Sequence, residues 1–168
     1  MPHILETARL RLREFTLSDT NFIIELVNSP GWLQFIGDKN IKTAEQATAY
    51  LENGPLESYR QNGFGLSLVE RREDGEAIGM CGIIKRDSLE NPDIGFAFLP
   101  GYYRNGYAYE IASATLDYAQ NQLALHKIAP ITLPTNLRSI KLLEKLGLSF
   151  VKTIILPGSK EKLLLYSN

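Results

Sequence analysis

The fold is decided around the stretch Tyr103-Arg104-Asn105-Gly106-Tyr107-Ala108. Before it, residues 93–99 have the pattern of a strand, which Pro100-Gly101 ends. After it, apolar residues recur with a period of about 3.6 as far as residue 123, which predicts an amphipathic helix. The quoted stretch is therefore the junction between a strand and a helix.

This junction has the properties of an anion site. The first turn of a helix has free backbone N–H groups and the positive end of the helix dipole, which together attract phosphate. Gly106 permits a close backbone approach, Ala108 keeps the wall thin, and Arg104 can add a charge-assisted hydrogen bond. Taken alone, a glycine at a helix start is also typical of a plain tight turn. The stretch is neither a Walker P-loop nor a three-glycine dinucleotide motif.

A second helix carries polar groups at a regular spacing. Its sequence is Asn136-Leu137-Arg138-Ser139-Ile140-Lys141-Leu142-Leu143-Glu144-Lys145-Leu146-Gly147. Asn136 and Ser139 are one turn apart and share a face. Gly147 is suited to the position that follows a helix end.

The sequence pattern of the N-terminal third of the chain predicts one strand and two helices. Leu10 and Leu12 alternate with arginines as in a half-exposed strand. A helix begins at Ser18-Asp19 and ends at residues 28–31, and we predict a loop containing Trp32 and Phe35 after it. Thr43 and Gln46 form a capping-box pattern that begins the second helix.

The remaining segments predict a sheet. Residues 64–69 and 77–85 flank an Asp-Gly pair and should form an antiparallel hairpin. Residues 127–132 predict a further strand, in which Pro130 cannot donate a hydrogen bond. Residues 151–155 and 160–166 predict a closing hairpin.

Composition restricts the class of protein. The chain has 168 residues, of which 44% are hydrophobic, and we expect a single domain over residues 1–168. A formal charge of -1 gives no reason to expect nucleic-acid binding. The lone Cys81 excludes an internal disulfide and is interpreted as a buried hydrophobe. We see no metal-ligand cluster, signal peptide or membrane span, and we expect a cytoplasmic protein.

The order of elements and the two motifs together resemble the GNAT superfamily of N-acetyltransferases. The opening Glu6-Thr7-Ala8-Arg9-Leu10-Arg11-Leu12-Arg13 is similar to its ribosomal-protein N-acetyltransferase (RimJ/RimL-like) branch. The resemblance covers nearly the whole chain. It implies a mixed α/β (α+β) fold with a central, mostly antiparallel twisted sheet of about six or seven strands, a splayed strand pair and flanking helices.

The resemblance also implies roles for individual residues. Asn136 would hydrogen-bond the pantetheine arm of acetyl-CoA, Ser139 would lie near its sulfur, and Asp93 would be the general base. The strand residues expected to contact the pantetheine arm are Phe96, Phe98 and Leu99. The residues expected to bind the pyrophosphate are Tyr103, Arg104, Asn105, Gly106, Tyr107 and Ala108.

Three departures from the family pattern bear on these roles. Tyr103 stands where Gln or Arg is frequent, Asp93 is shorter than the usual Glu, and Leu143 stands where many relatives have a tyrosine acid. Asp93 could equally begin a strand or pair with a nearby arginine. Ser139 could be a surface hydroxyl, and Asn136 could cap its helix while also touching the cofactor.

The implied reaction transfers an acetyl group from acetyl-CoA, without a metal, to an amine acceptor that we expect to contact Trp32 and Phe35. An α-amine with a pKa near ~8 is partly neutral at physiological pH, whereas a lysine near ~10.4 is almost fully charged. A weak base therefore fits an α-amine or a small-molecule amine better than a lysine, and of these we expect a peptide or protein N-terminus. A small amine such as an antibiotic, polyamine or amino acid is the alternative, and a non-catalytic acyl-CoA-binding module is the third. We expect a monomer or a homodimer.

Overall fold

The computed structural model describes residues 3–168, and within them eight strands form two antiparallel sheets. The first sheet has the strand order β1-β2-β3-β4-β5 and the second has the order β6-β8-β7. The strands are β1 (Leu5–Glu6), β2 (Leu10–Arg13), β3 (Leu66–Arg71), β4 (Ala77–Ile84), β5 (Asp93–Phe98), β6 (Ile131–Thr132), β7 (Ser149–Ile154) and β8 (Leu163–Ser167).

Six α-helices pack on these sheets or connect their strands. They are α1 (Thr20–Val27), α2 (Pro30–Phe35), α3 (Ala44–Asn53), α4 (Pro55–Asn62), α5 (Tyr107–Asn121) and α6 (Leu137–Lys145). Among the described residues, no helix is long and apolar enough to cross a membrane. The mixed α+β fold predicted from the sequence is confirmed.

Local chemistry explains most of the element boundaries. Thr43 and Gln46 form the predicted capping box in front of α3. Gly147 has a φ angle of 90°, as expected for a glycine that follows a helix end. The hairpin between β3 and β4 turns at Gly75, whose φ angle is 72°.

The segment after α1 differs from its prediction. Residues 30–35 form the short helix α2, where the sequence analysis expects a loop around Trp32 and Phe35. Pro30 and Gly31 do stop α1, but Pro30 occupies the first turn of α2, where a missing N–H costs nothing. The same proline therefore ends one helix and begins the next.

The two sheets separate at the N-terminal end of β5. There, the backbone N–H of Ala129 donates a hydrogen bond of 2.7 Å to Pro92 O. Beyond this point β5 continues to pair with β4, while β6 pairs with β8. Pro130 has no N–H to donate to a neighbouring strand. The strands thus divide between two sheets of five and three, where the sequence analysis expects one sheet of six or seven.

Hydrophobic cores lie on both faces of the first sheet. Consecutive residues of β3 point to opposite faces of the sheet: Val69 belongs to the core under α5, and Leu68 belongs to the core under α1 and α3. Cys81 is fully buried in the first of these cores. This position confirms the prediction of a small buried hydrophobe, and burial raises the pKa of its thiol to about 12.

Glu110, in the first turn of α5, ties this helix to the turn between β1 and β2. One carboxylate oxygen accepts hydrogen bonds from Thr7 Oγ1 and from the backbone N–H of Arg9 (3.0 Å), and the other accepts one from Arg9 Nε (2.7 Å). Burial raises the pKa of Glu110, but these donors lower it more, so the net shift is downward. The clamp fixes the start of α5 against the sheet.

We expect Glu110→Ala to lower the free energy of unfolding by about 1.5–3 kcal/mol at neutral pH, because three donors lose a charged acceptor. Since the pKa is lowered by folding, this contribution is present above the unfolded value near ~4.3 and is lost as the pH falls through the folded value. Urea unfolding at neutral and at mildly acidic pH measures both effects. Asp117→Ala, at an exposed position of α5, should change stability by less than about 0.5 kcal/mol. A loss no larger than in this control would contradict the clamp.

Candidate active site

A cleft of about 490 Å³ opens beside the unpaired edge of β5, towards the C-terminal end of the strand. Its walls are α2, the end of β5, the loop that follows β5, the first turn of α5 and one face of α6. Most residues that the sequence analysis assigns to cofactor, substrate or catalysis line it. These are Trp32, Phe35, Phe96, Phe98, Tyr103, Arg104, Gly106, Tyr107, Ala108, Asn136 and Ser139.

Three of the assigned residues lie outside the cleft lining. Leu99 is buried in the core under α1 and α3, and its backbone N–H already donates to Ile78 O at 3.0 Å. Asn105 is exposed, and its Nδ2 donates to Tyr103 O at 3.3 Å, which supports the shape of the loop. Asp93 is buried at the other end of β5.

The loop in front of α5 has a conformation suited to an anion. Arg104 and Gly106 both have left-handed backbones, with φ angles of 65° and 78°. A left-handed arginine is strained, and such strain is concentrated at functional sites. Gly106 is the N-cap of α5, and no side chain caps the helix. The first N–H groups of α5 are therefore left to an external acceptor.

All four tyrosines between residues 102 and 109 have a cation over the ring. The distances, measured from the guanidinium carbon or ammonium nitrogen to the ring centroid, are 5.1 Å for Arg71 on Tyr102, 4.0 Å for Arg138 on Tyr103, 4.5 Å for Arg9 on Tyr107 and 4.2 Å for Lys145 on Tyr109. Such contacts stabilise a cation at partly exposed positions by about 0.5–1 kcal/mol. Arg9 is also bound to Glu110 and Arg71 to Asp74, so, among the described residues, the ring-held charges that have no carboxylate partner are those of Arg138 and Lys145.

Most of the cations in the cleft are not among the residues predicted from the sequence to bind a ligand. Besides Arg104, the lining includes Arg138, Lys141 and Lys145 of α6. These three recur at spacings of three and four, so helical periodicity applied to the basic residues could have found them. No aspartate or glutamate lines the cleft in the described part of the chain. The cleft therefore carries a local positive charge within a nearly neutral protein.

The edge of β5 forms the floor of the cleft. Between Gly95 and Phe98 the strand pairs with β4 on one side only. An unpaired strand edge presents backbone N–H and C=O groups that can bond an extended ligand. Phe96 and Phe98 line the cleft on either side of Ala97. The floor therefore offers both backbone polar groups and apolar contact.

Asn136 and Ser139 enter the cleft from the start of α6. Asn136 is the N-cap of this helix, and its Oδ1 accepts a hydrogen bond of 3.3 Å from the Ser139 backbone N–H. Within residues 3–168, neither Asn136 Nδ2 nor Ser139 Oγ hydrogen-bonds another group. Both side chains thus keep a donor for a ligand. Leu143 is buried in the core and does not reach the cleft.

Asp93 pairs with an arginine, as one of the readings from sequence anticipates. Its Oδ2 accepts a hydrogen bond of 3.0 Å from Arg86 Nε, and the residue is only 2% exposed. Burial raises the pKa of this carboxyl group to about 7, and the Arg86 guanidinium only partly offsets the effect. A carboxyl group with this pKa could exchange a proton at neutral pH. However, Asp93 does not line the cleft.

The wall formed by α2 is apolar and closely packed. Trp32 is buried, and its indole N–H has no hydrogen-bond partner among the described residues. The hydroxyl of Tyr103 rests against Gly31, because a Cβ at position 31 would lie 2.5 Å from that oxygen. Tyr103 also carries Arg138 of α6 on its ring. This one side chain therefore bridges α2 and α6 across the cleft.

Asp93→Asn should remove a pH dependence of stability. The folded pKa of about 7 lies above the unfolded value near ~3.9, so ionisation of Asp93 costs stability as the pH rises from about 4 to 7. Relative to the unchanged protein, we expect the variant to gain roughly 2 kcal/mol between about pH 5.5 and about pH 8. Urea unfolding at both pH values measures the difference. Parallel pH profiles for the two proteins would contradict the raised pKa.

The chain is similar to a known protein family and to individual proteins. The model of the acetyltransferase (GNAT) domain family matches residues 9–149. The chain is 33% identical over 156 residues to the uncharacterized protein YkkB of Bacillus subtilis (strain 168), covering 89% of this chain and 87% of YkkB. It is 30% identical over 145 residues to the uncharacterized N-acetyltransferase YoaA of the same strain, covering 86% of this chain and 81% of YoaA.

Solved structures share the fold at lower identity. An acetyltransferase from Agrobacterium tumefaciens str. C58 has a TM-score of 0.83 and 24% identity, covering 100% of this chain and 94% of that one. The ribosomal L7/L12 α-N-protein acetyltransferase RimL in complex with coenzyme A has a TM-score of 0.82 and 15% identity, covering 99% of this chain and 97% of that one. A mutant of the spermidine N-acetyltransferase SpeG from Vibrio cholerae has a TM-score of 0.72 and 19% identity, covering 96% of this chain and 94% of that one. The chain therefore belongs to the acetyltransferase (GNAT) domain family and is an acetyl-CoA-dependent N-acyltransferase.

Proposed function

We propose that the acceptor of this enzyme is the α-amine of a peptide or protein N-terminus. The observation that carries the proposal is the absence of a carboxylate from the described cleft lining, while the nearest sequence candidate for a base, Asp93, is held by Arg86. An amine must be neutral to attack a carbonyl group. An α-amine with a pKa near ~8 supplies far more neutral molecules at physiological pH than a lysine near ~10.4 does.

The residues of the cleft fit acetyl-CoA, which supplies the acetyl group when bound. The uncapped N–H groups of α5, with Gly106 in a left-handed conformation, suit the diphosphate. Arg104, Arg138, Lys141 and Lys145 line the same cleft and would add charge-assisted contacts to the diphosphate. The unpaired edge of β5 suits the amide groups of the pantetheine arm.

Asn136 and Ser139 suit two different tasks. Asn136 has a free amide donor next to the edge of β5, which supports a role in holding the pantetheine arm. Ser139 has a free hydroxyl, which supports a hydrogen bond to the thioester sulfur as negative charge develops there. A thiol with a pKa near ~8.5 leaves with modest help of this kind. The role of Asp93 as general base stays a prediction.

The alternatives differ in their support. A small-molecule amine as acceptor is compatible with the same cleft, and similar structures include both a ribosomal-protein and a spermidine acetyltransferase. Because these structures are less than 25% identical to the chain, they show the fold and do not select a substrate. The RimJ/RimL branch likewise stays a prediction. A non-catalytic module is disfavoured by the family and by its N-acetyltransferase relative.

The function is tested by measuring thiol release from acetyl-CoA with a panel of amines. The panel contains peptides with free N-termini, free amino acids, polyamines and an aminoglycoside. The proposal expects the highest kcat/KM for peptides, with the product acetylated at the α-amine. Transfer only to small amines would select the alternative acceptor, and no release with any amine would overturn the proposed activity.

Coenzyme A should raise the melting temperature, because a ligand that binds only the folded state stabilises it by roughly 2.7 kcal/mol at about 100 times its dissociation constant. Gly106→Val should abolish this rise, because a branched residue disfavours the left-handed backbone that leaves the first N–H groups of α5 open to the diphosphate. Gly75→Val is the matched control, since Gly75 also has a positive φ angle but lies in an open turn. Both variants lose basal stability through backbone strain. If coenzyme A raised the melting temperature of Gly106→Val as much as that of the unchanged protein, the diphosphate could not bind at the start of α5.

Ser139→Ala should lower kcat by about 10- to 150-fold while leaving the affinity for coenzyme A nearly intact, because a hydrogen bond to a charged group stabilises the transition state by roughly 1.5–3 kcal/mol. Asn136→Ser keeps a capping oxygen but shortens the amide, so it should weaken coenzyme A binding instead. Leu137→Ala, at an exposed position of α6 that does not line the cleft, is the control. Titration and single-turnover transfer separate the effects. Wild-type transfer by Ser139→Ala would exclude its role.

A further inference from the structure

The charges of the cleft are distributed unevenly between its walls. All four cations of the lining, Arg104, Arg138, Lys141 and Lys145, belong to the loop after β5 or to α6. The α2 segment, which forms another wall, contributes no charged side chain to the lining. The anionic part of coenzyme A therefore matches the loop and α6, and the wall formed by α2 is left for the acceptor.

The α2 wall presents an apolar surface to the cleft. Trp32 and Phe35 line the cleft, as does Ile36, the C-cap residue that follows α2, which has 47% of its surface exposed and marks the rim. Leu33 lies on the same helix and is 41% exposed, but it does not line the cleft. The exposed apolar surface at Ile36 is therefore part of the cleft, whereas the surface at Leu33 is not.

We propose that this wall binds the first side chain of the acceptor and selects an uncharged, apolar one. The inference rests on the proposed N-terminal acetyltransferase function and names its substrate class. A cationic first side chain would have to leave water for an apolar surface, where a charge is costly unless it is paired. No carboxylate of the described lining can pair with it. The same argument disfavours polyamines.

The first experiment compares peptides that differ only in their first residue, either leucine or arginine, with spermidine as a third acceptor. Arginine is chosen because its side chain is charged and is not itself acetylated. We expect kcat/KM for the leucine peptide to exceed that for the arginine peptide by about tenfold or more, and spermidine to be a poorer acceptor still. Equal or better transfer to the arginine peptide would overturn the inference while leaving the proposed function standing.

The second experiment changes the wall itself. Ile36→Glu places a carboxylate at the rim of the cleft, and it should raise the ratio of kcat/KM for the arginine peptide to that for the leucine peptide by about fivefold or more. Leu33→Glu adds the same charge to the same helix outside the cleft, and it should leave this ratio unchanged. Equal ratios in the two variants would overturn the assignment of the wall.

The outcomes separate the two levels of the proposal. If no amine releases the thiol although coenzyme A raises the melting temperature, the proposed function fails and the acceptor assignment fails with it. If the arginine peptide is the preferred acceptor, the proposed function stands and only the selectivity of the α2 wall is refuted. If spermidine is the preferred acceptor, transfer is real but the proposed N-terminal acceptor is refuted as well. A leucine preference that Ile36→Glu weakens and Leu33→Glu does not would support both levels.

Discussion

The structure depends on one constraint, which is that β5 can pair fully with only one neighbour. Its inner edge pairs with β4 along the whole strand, and on its outer side Pro92 accepts a single backbone hydrogen bond from Ala129. Because the chain diverges after that bond, a row of backbone groups is left to face a gap rather than a strand. The cleft and its floor follow from this divergence, and the helices supply the walls.

The anion-binding end of the cleft combines two sources of positive potential. The backbone of the loop and the uncapped start of α5 provide fixed partial charges, whose position depends on left-handed residues at positions 104 and 106. Side-chain cations add to this potential, and aromatic rings rather than carboxylates hold two of them, Arg138 on Tyr103 and Lys145 on Tyr109. A carboxylate partner would have cancelled the charge, whereas a ring leaves it available to a ligand.

The sequence predicted the parts of this arrangement that local chemistry determines. The capping box at Thr43, the hairpin at Gly75 and the Asn136-Ser139 face all depend on residues close together in the chain. The partner of Asp93 and the division into two sheets depend on contacts between distant segments, which periodicity does not report. The helix α2 was missed for another reason, since proline and glycine are signals both for the end of one helix and for the start of another.

The contact between Gly31 and Tyr103 has a consequence for the divergence of related sequences. A ring is sufficient to hold Arg138, so phenylalanine could replace Tyr103 in that role. The hydroxyl, however, fills the space that a side chain at position 31 would need. Alanine or a larger residue at position 31 requires the ring to shift or the hydroxyl to be lost. Positions 31 and 103 should therefore covary. A residue with a side chain at position 31 should be accompanied by phenylalanine or a smaller residue at position 103.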